Sequence, residues 1–150
     1  MKKSIDTEDF LSLHDCECKR MYYKDGQVVM DMDWIEVLKE HPDNPYDEAH
    51  QSDGGSIILC ETCLLLGELY PKKKENEIEK LSLKDLNLCN IEILDFTTSE
   101  IDTKKKVNIY GIFSKNESYS AVSLELSYTS TIVEIGELGN KSWFVDFDKQ

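Results

Sequence analysis

HDCECKRMYYKDGQVVMDMDW, residues 14–34, decides the reading of this 150-residue chain. In its first half Cys16, Cys18, Arg20 and Tyr22 alternate with Asp15, Glu17, Lys19 and Met21. In its second half Val28, Met30, Met32 and Trp34 alternate with Val29, Asp31 and Asp33. Successive side chains of a strand point to opposite faces, so each run has one greasier face and one charged face. Two such runs around Asp25-Gly26 predict an antiparallel hairpin with one side packed. A three-residue loop, Lys24-Asp25-Gly26, keeps like faces together and gives Gly26 the left-handed position. It sets Tyr23 against Gln27, Tyr22 against Val28, Cys18 against Met32 and Cys16 against Trp34. Lys19 then faces Asp31, and Glu17 faces Asp33. A two-residue turn at Asp25-Gly26 would oppose Cys18 to Asp33 and mix the faces.

Outward from the hairpin, residues 1–5 are expected to fray, with Asp6 or Thr7 capping a short helical turn towards Leu13. After the hairpin comes the loop 41–55, with Asn44 as helix cap and Pro45 at the first helical position. A helix of one or two turns over Pro45 to His50 follows from that, broken by Ser52-Asp53-Gly54-Gly55. Ser56 to Leu66 reads SIILCETCLLL, which predicts one central strand buried on both sides. Residues 71–80 form a charged linker or loop, and Ser82 to Leu86 a single helical turn. Further strands are read at 89–96, 107–114, 118–129, 131–138 and 142–147. The predicted fold is mainly β, an antiparallel sandwich or strongly curled sheet of seven to eight strands with one or two short helices. One domain accommodates all 150 residues.

The formal net charge is -13. Residues 1–50 carry 6 basic and 13 acidic side chains, and residues 101–150 carry 6 and 7, so the acidic field belongs to the N-terminal part. Such a surplus argues against nucleic acid and anionic membranes as partners and in favour of a basic protein. No apolar run is long enough for a membrane span, and Met1 to Leu13 lacks a hydrophobic signal region, so a cytoplasmic location is expected. Five cysteines in that compartment read as free thiols or ligands.

Four constellations carry candidate chemistry. Cys16-x-Cys18 with Cys60-x-x-Cys63 supplies four thiolates, the ligand set of a structural zinc, against the bland reading of buried thiols. His14-Asp15-Cys16 suggests a thiol hydrolase, but adjacent strand residues diverge, so Asp15 cannot orient His14 within a strand. Glu17, Asp31 and Asp33 crowd carboxylates onto one sheet face, which suits a surface for a basic partner. His41, Tyr46, Asp47 and His50 lie in a loop long enough to suspect function, with Tyr46 as an aromatic anchor. No phosphate-binding loop, dinucleotide fingerprint or kinase signature is present.

His14-Asp15-Cys16 opening a first strand, the hairpin turned at Gly26 and the Pro42 to Tyr46 loop together resemble small bacterial β-proteins of the polymorphic-toxin immunity type. That resemblance implies a cytosolic, non-catalytic antidote that occludes a basic toxin domain, with no cofactor. The expected contact residues are Glu17, Asp31, Asp33, Tyr46 and Asp47. Two alternatives stand beside it. One is a zinc-stabilised β domain using Cys16, Cys18, Cys60 and Cys63, and the other is a small-molecule-binding β domain or hydrolase.

Overall fold

The computed structural model describes residues 1–147. Among these residues twelve strands follow one another: β1 (Lys2–Ile5), β2 (Leu11–Ser12), β3 (Glu17–Lys24), β4 (Gln27–Val37), β5 (His50–Cys60) and β6 (Cys63–Pro71), then β7 (Glu79–Lys80), β8 (Asn87–Ile101), β9 (Lys104–Phe113), β10 (Tyr119–Tyr128), β11 (Ser130–Ile135) and β12 (Leu138–Lys141). All belong to one open antiparallel sheet in the order β1-β11-β5-β4-β3-β8-β9-β10-β6-β7, with β12 added to β5 and β2 to β4. The mainly β, antiparallel expectation holds, but the count is twelve and not seven to eight. The extra strands β1, β2, β7 and β12 are each two to four residues long, too short to show a period. The expected short helices reduce to two 3₁₀ turns, Glu8–Phe10 and Leu83–Asp85. Residues 1–5 do not fray, because Lys2–Ile5 pairs with β11. The charged stretch 71–80 ends in β7, which pairs with Glu68 and Leu69.

The turn of the first hairpin differs from the expectation. Lys24 faces Gln27, so the connection is the two-residue turn Asp25-Gly26, with φ of 51° and 82°. Both central residues are left-handed, as the hairpin twist prefers. The faces nevertheless stay unmixed, because a bulge between Cys18 and Arg20 shifts the register by one. Lys19 and Arg20 are both exposed in succession, while Cys16, Cys18 and Met21 are fully buried. Thus Cys18 does face Met32, but Tyr22 faces Val29 and Arg20 faces Asp31. On its other side Glu17 lies opposite Glu92 of β8, while the ladder towards β4 begins at Cys18 and Met32. A bulge re-aims a strand in this way without breaking its ladder.

The apolar run 56–66 is not one central strand. It divides at Glu61 (φ 50°) and Thr62 into the end of β5 and the start of β6. β10 divides from β11 in the same way at Thr129. Ser130 faces Cys60 on one side of the break, and Ser127 faces Cys63 on the other, so the same antiparallel register carries across it and shifts only farther along, between Leu126 and Glu125. These four elements form one long two-stranded ribbon bent at its middle. Its first half pairs with β4 and β1, its second with β9 and β7.

Among the described residues no helix covers the sheet, yet Met30, Ile57, Leu59, Ile91, Ile93, Ile109, Leu124 and Leu126 are at most 1% exposed. The sheet therefore covers its own apolar face by curling, which the bent ribbon enforces. The expected break at Ser52–Gly55 lies instead inside β5. Gly55, at φ 155°, passes between β4 and β11 where a Cβ would meet Glu134 O at 2.5 Å.

Gly26 has nothing within 4 Å of an added Cβ, so a side chain there meets only backbone strain. Gly26→Ala is expected to cost about 1–2 kcal/mol in urea denaturation, the penalty of a left-handed residue. Asp25→Gly, which relieves the neighbouring strained φ, is expected to lie within about 0.5 kcal/mol of the parent.

Candidate functional site

The segment between β4 and β5 is held by its polar side chains. Asn44 Nδ2 donates to Val37 O, Leu38 O and Glu48 O at 3.1–3.2 Å, and Asn44 Oδ1 accepts from Tyr46 N at 2.8 Å. The expected helix at Pro45–His50 does not form: Asn44 Oδ1 makes the cap-like bond to Tyr46 N, but the Asn44 amide also holds Glu48 O and closes the segment as a loop. His41 is 2% exposed. Its Nδ1 accepts from Asp43 N at 3.1 Å, so Nε2 carries the proton towards Thr7 Oγ1 at 3.1 Å and Ser4 Oγ at 3.3 Å. Burial lowers its pKa, against the opposing charge of Asp43, and holds the ring neutral. His41 is thus a peg between this loop and β1.

His50 is placed differently. Its Nδ1 donates to Gly139 O at 2.8 Å, and Tyr46, 47% exposed, stacks on the ring at a centroid distance of 3.9 Å. Asp47, Glu48 and Ala49 line a hollow of about 420 Å³ with Leu38, Phe144 and Val145. On the other side of the loop, Pro45 and Tyr46 line a hollow of about 440 Å³ with Met1, Ile135 and Leu138.

The C-terminal segment completes this surface. β12 adds to β5 with Lys141 opposite His50, and Lys141 Nζ lies 3.2 Å from Glu48. Ser142 N then donates to Ala49 O at 2.9 Å. The Ser142 hydroxyl donates to Glu36 Oε2 at 2.5 Å, while Gln51 Nε2 donates to Glu36 Oε1 at 3.3 Å. Glu36 is 1% exposed, and burial raises its pKa against those two hydrogen bonds. From that anchor residues 143–147 run as turns, not as the strand expected over 142–147. Trp143 and Phe147 stand 51% and 65% exposed, edge to face at 5.9 Å, and Phe144 meets Trp143 at 5.5 Å.

The expected contact residues are only partly gathered. Tyr46 and Asp47 share the loop. Asp33 lines a third hollow with Trp34, Asp53 and Asn140 of β12 and pairs with Lys19 at 3.4 Å. Asp31 faces Arg20, and Glu17 sits by β8 and accepts from the Ser114 hydroxyl at 3.4 Å. Trp143, Phe144 and Phe147 were not singled out from the sequence, because their anchor, Glu36, lies far away along the chain.

The thiols do not converge. Among the described residues no group of three or more His, Cys, Asp or Glu side chains is placed to hold a metal ion. Cys16 and Cys18 point into the core, donating to Ser12 O and Arg20 O, whereas Cys63 and Cys89 are exposed. His14 and Asp15 form a turn and not strand, so Asp15 Oδ2 does approach His14 Nε2, at 3.6 Å, contrary to the expectation. His14 Nδ1 bonds Leu94 O at 2.6 Å, while the Cys16 thiol faces inward. Comparison with family models, curated proteins and solved structures gave no match.

Two outcomes test this geometry. Burial pushes Cys16 and Cys18 up to about 12, so brief alkylation of the native protein at pH 8 is expected to label Cys63 and Cys89 and spare Cys16 and Cys18. For Glu36, a raised carboxyl pKa means the folded state binds its proton more tightly. Stability is therefore lost as pH rises from the ordinary value of 4.5 through the raised one. Glu36→Gln is expected to match the parent below that window and exceed it above, in melts run from pH 4 to 8. Ser142→Ala, which strands a buried carboxylate oxygen, is expected to cost about 1–3 kcal/mol.

Proposed function

We propose that this chain is a non-catalytic, intracellular protein-binding domain that presents an aromatic and acidic surface to a basic protein. The observation that carries this reading is that Trp143, Phe147 and Tyr46 are each about half exposed or more on segments locked from below. Exposed large aromatics on ordered backbone are the typical anchors of interfaces, since they bury much area at small cost in side-chain freedom. Around them lie Glu40, Asp43, Asp47 and Glu48, whose charge accelerates encounter with a basic surface. The two hollows flanking the loop suit apolar side chains of the partner. An antidote of the immunity type, occluding a basic toxin domain, fits this surface and the overall charge of -13.

A binding assay in host lysate, eluted along a salt gradient, tests the reading. The parent is expected to retain a basic protein that a Trp143→Ala/Phe147→Ala variant releases at low salt, a loss of about 2 kcal/mol or more. Both substitutions are at the surface, so stability is expected to move by less than about 0.5 kcal/mol each. Equal retention by parent and variant removes the aromatic surface from the reading. Charge reversal at Asp31 and Asp33 is expected to slow association and leave the fold intact.

A further inference from the structure

The loop that carries Tyr46 holds an imidazole and a carboxylate whose hydrogen bonds are incomplete in complementary ways. The buried His41 ring accepts at Nδ1 from Asp43 N, 3.1 Å away, and directs Nε2–H at Thr7 Oγ1 and Ser4 Oγ. Ser4 lies in β1, and Thr7 precedes the 3₁₀ turn Glu8–Phe10. Nε2 therefore holds the ring to the edge of the sheet, and Nδ1 holds the loop to the ring. Two residues along, Asp43 Oδ2 is buried and accepts no hydrogen bond. A desolvated carboxylate oxygen without a donor is costly.

The weak point is Nδ1. Neutral imidazole accepts there, whereas imidazolium carries N–H at both nitrogens and accepts at neither. A proton on Nδ1 sets donor against donor at Asp43 N and leaves the Nε2–H bonds to Ser4 and Thr7 intact. It also creates the donor that Asp43 Oδ2 lacks. The other charges near the ring are engaged or exposed. Asp6 and Glu8 are paired with Lys105, Asp9 accepts from Thr98, and Lys3 is paired with Glu134. Lys2, Lys39 and Glu40 are exposed. Asp43 is the charge that acts on the ring, and it favours the protonated form.

We propose that His41 and Asp43 form a proton-operated latch in the wall of the partner-binding surface. In the closed form Asp43 N is bound to neutral Nδ1. In the open form the Asp43 peptide turns away, its carboxylate accepts from Nδ1–H, and the ring stays on β1. Asp43 lines the hollow of about 440 Å³ with Pro45 and Tyr46, so opening reshapes the socket offered to an apolar side chain of the partner. Acid therefore weakens partner binding, a consequence that rests on the protein-binding reading, while the latch itself does not. Burial lowers the pKa of the ring in the closed form, so that form binds the proton less tightly than the open one. It loses ground as pH falls from the ordinary 6.5 through the lowered value.

The test follows the full, isotope-labelled chain by NMR from pH 7.5 to 5. The His41 ring is expected in the Nε2–H form at pH 7.5 and to take up its proton with a midpoint below 6.5. Across that midpoint the exchange protection of the Asp43 amide is expected to fall about tenfold or more, the loss of one hydrogen bond. Both signals belong to the latch and not to His50, which stacks on Tyr46. His41→Gln, neutral at every pH, is expected to lose the transition. Asp43→Asn, which removes the charge and keeps the amide, is expected to lower the midpoint by about half a unit or more, and it carries the test should His41→Gln fail to fold. Glu36→Gln, on the opposite segment, is expected to leave the transition in place. A ring that titrates at 6.5 or above or stays neutral down to acid unfolding, an Asp43 amide protected throughout, or an unchanged midpoint in Asp43→Asn overturns the proposal. Loss of the transition in Glu36→Gln does the same. Retention of a basic protein from lysate that weakens equally with acid in the parent and in His41→Gln overturns the hold of the latch on the surface. No protein retained at either pH, with both NMR signals present, upholds the latch and overturns the binding reading alone.

Discussion

The structure depends on how a single sheet hides its apolar face with no helix among the described residues to lie on it. The bent ribbon of β5–β6 and β10–β11 is the device. Both chains cross from one arm of the sheet to the other while remaining paired, so the arms cannot separate without breaking that ladder. The bend is held by backbone and side chain together. Thr62 N donates to Gly26 O, Thr62 Oγ1 donates to Leu59 O at 2.8 Å, and Thr129 N donates to Cys60 O. The tip of the first hairpin thereby clamps the crossing point of the ribbon. A local turn choice, Asp25-Gly26, is thus coupled to the curl of the whole sheet.

That coupling explains what was legible beforehand and what was not. Alternation was enough to find β3, β4 and β8 to β10, since one face of each is buried and the other wet. It misled wherever the strand was irregular. The true turn looked wrong because Cys18 and Met21 are both buried, which a regular strand forbids and one bulge permits. The adjacent charges of Lys19 and Arg20 were the available sign. The run from Ser56 to Leu66 looked continuous because both halves of the ribbon are apolar, and Glu61-Thr62 carries no Gly or Pro to mark a bend. Asn44-Pro45 read as a helix start on local grounds, but the Asn44 side chain had three carbonyls within reach that only the tertiary fold supplies.

The same limit governs the candidate surface. Tyr46 and Asp47 stood out because their loop is long and polar. The aromatic turn at 143–147 did not, because what makes it a presented surface is a contact between Ser142 and Glu36. Long-range polar pairs leave no periodic trace. A buried glutamate in a strand that otherwise alternates cleanly is the trace that was there, since Glu36 interrupts the apolar sequence Ile35 to Val37.

Buried polar groups are concentrated where the surface is built. Glu36, His41, Asn44 and Ser52 are all at most 8% exposed and lie within or beside β4, the loop and the start of β5. An apolar core would hold this region at least as well, because burying a carboxylate or an imidazole gives little net stability. What hydrogen bonds add is direction. Each fixes a backbone at one angle: Asn44 the loop carrying Tyr46, His41 the same loop against β1, and Glu36 the segment carrying Trp143. Aromatic groups held in this way lose little freedom when a partner arrives, so more of their burial appears as affinity. The polar interior of this end of the sheet, with its cost in stability, is the physical counterpart of the surface above it.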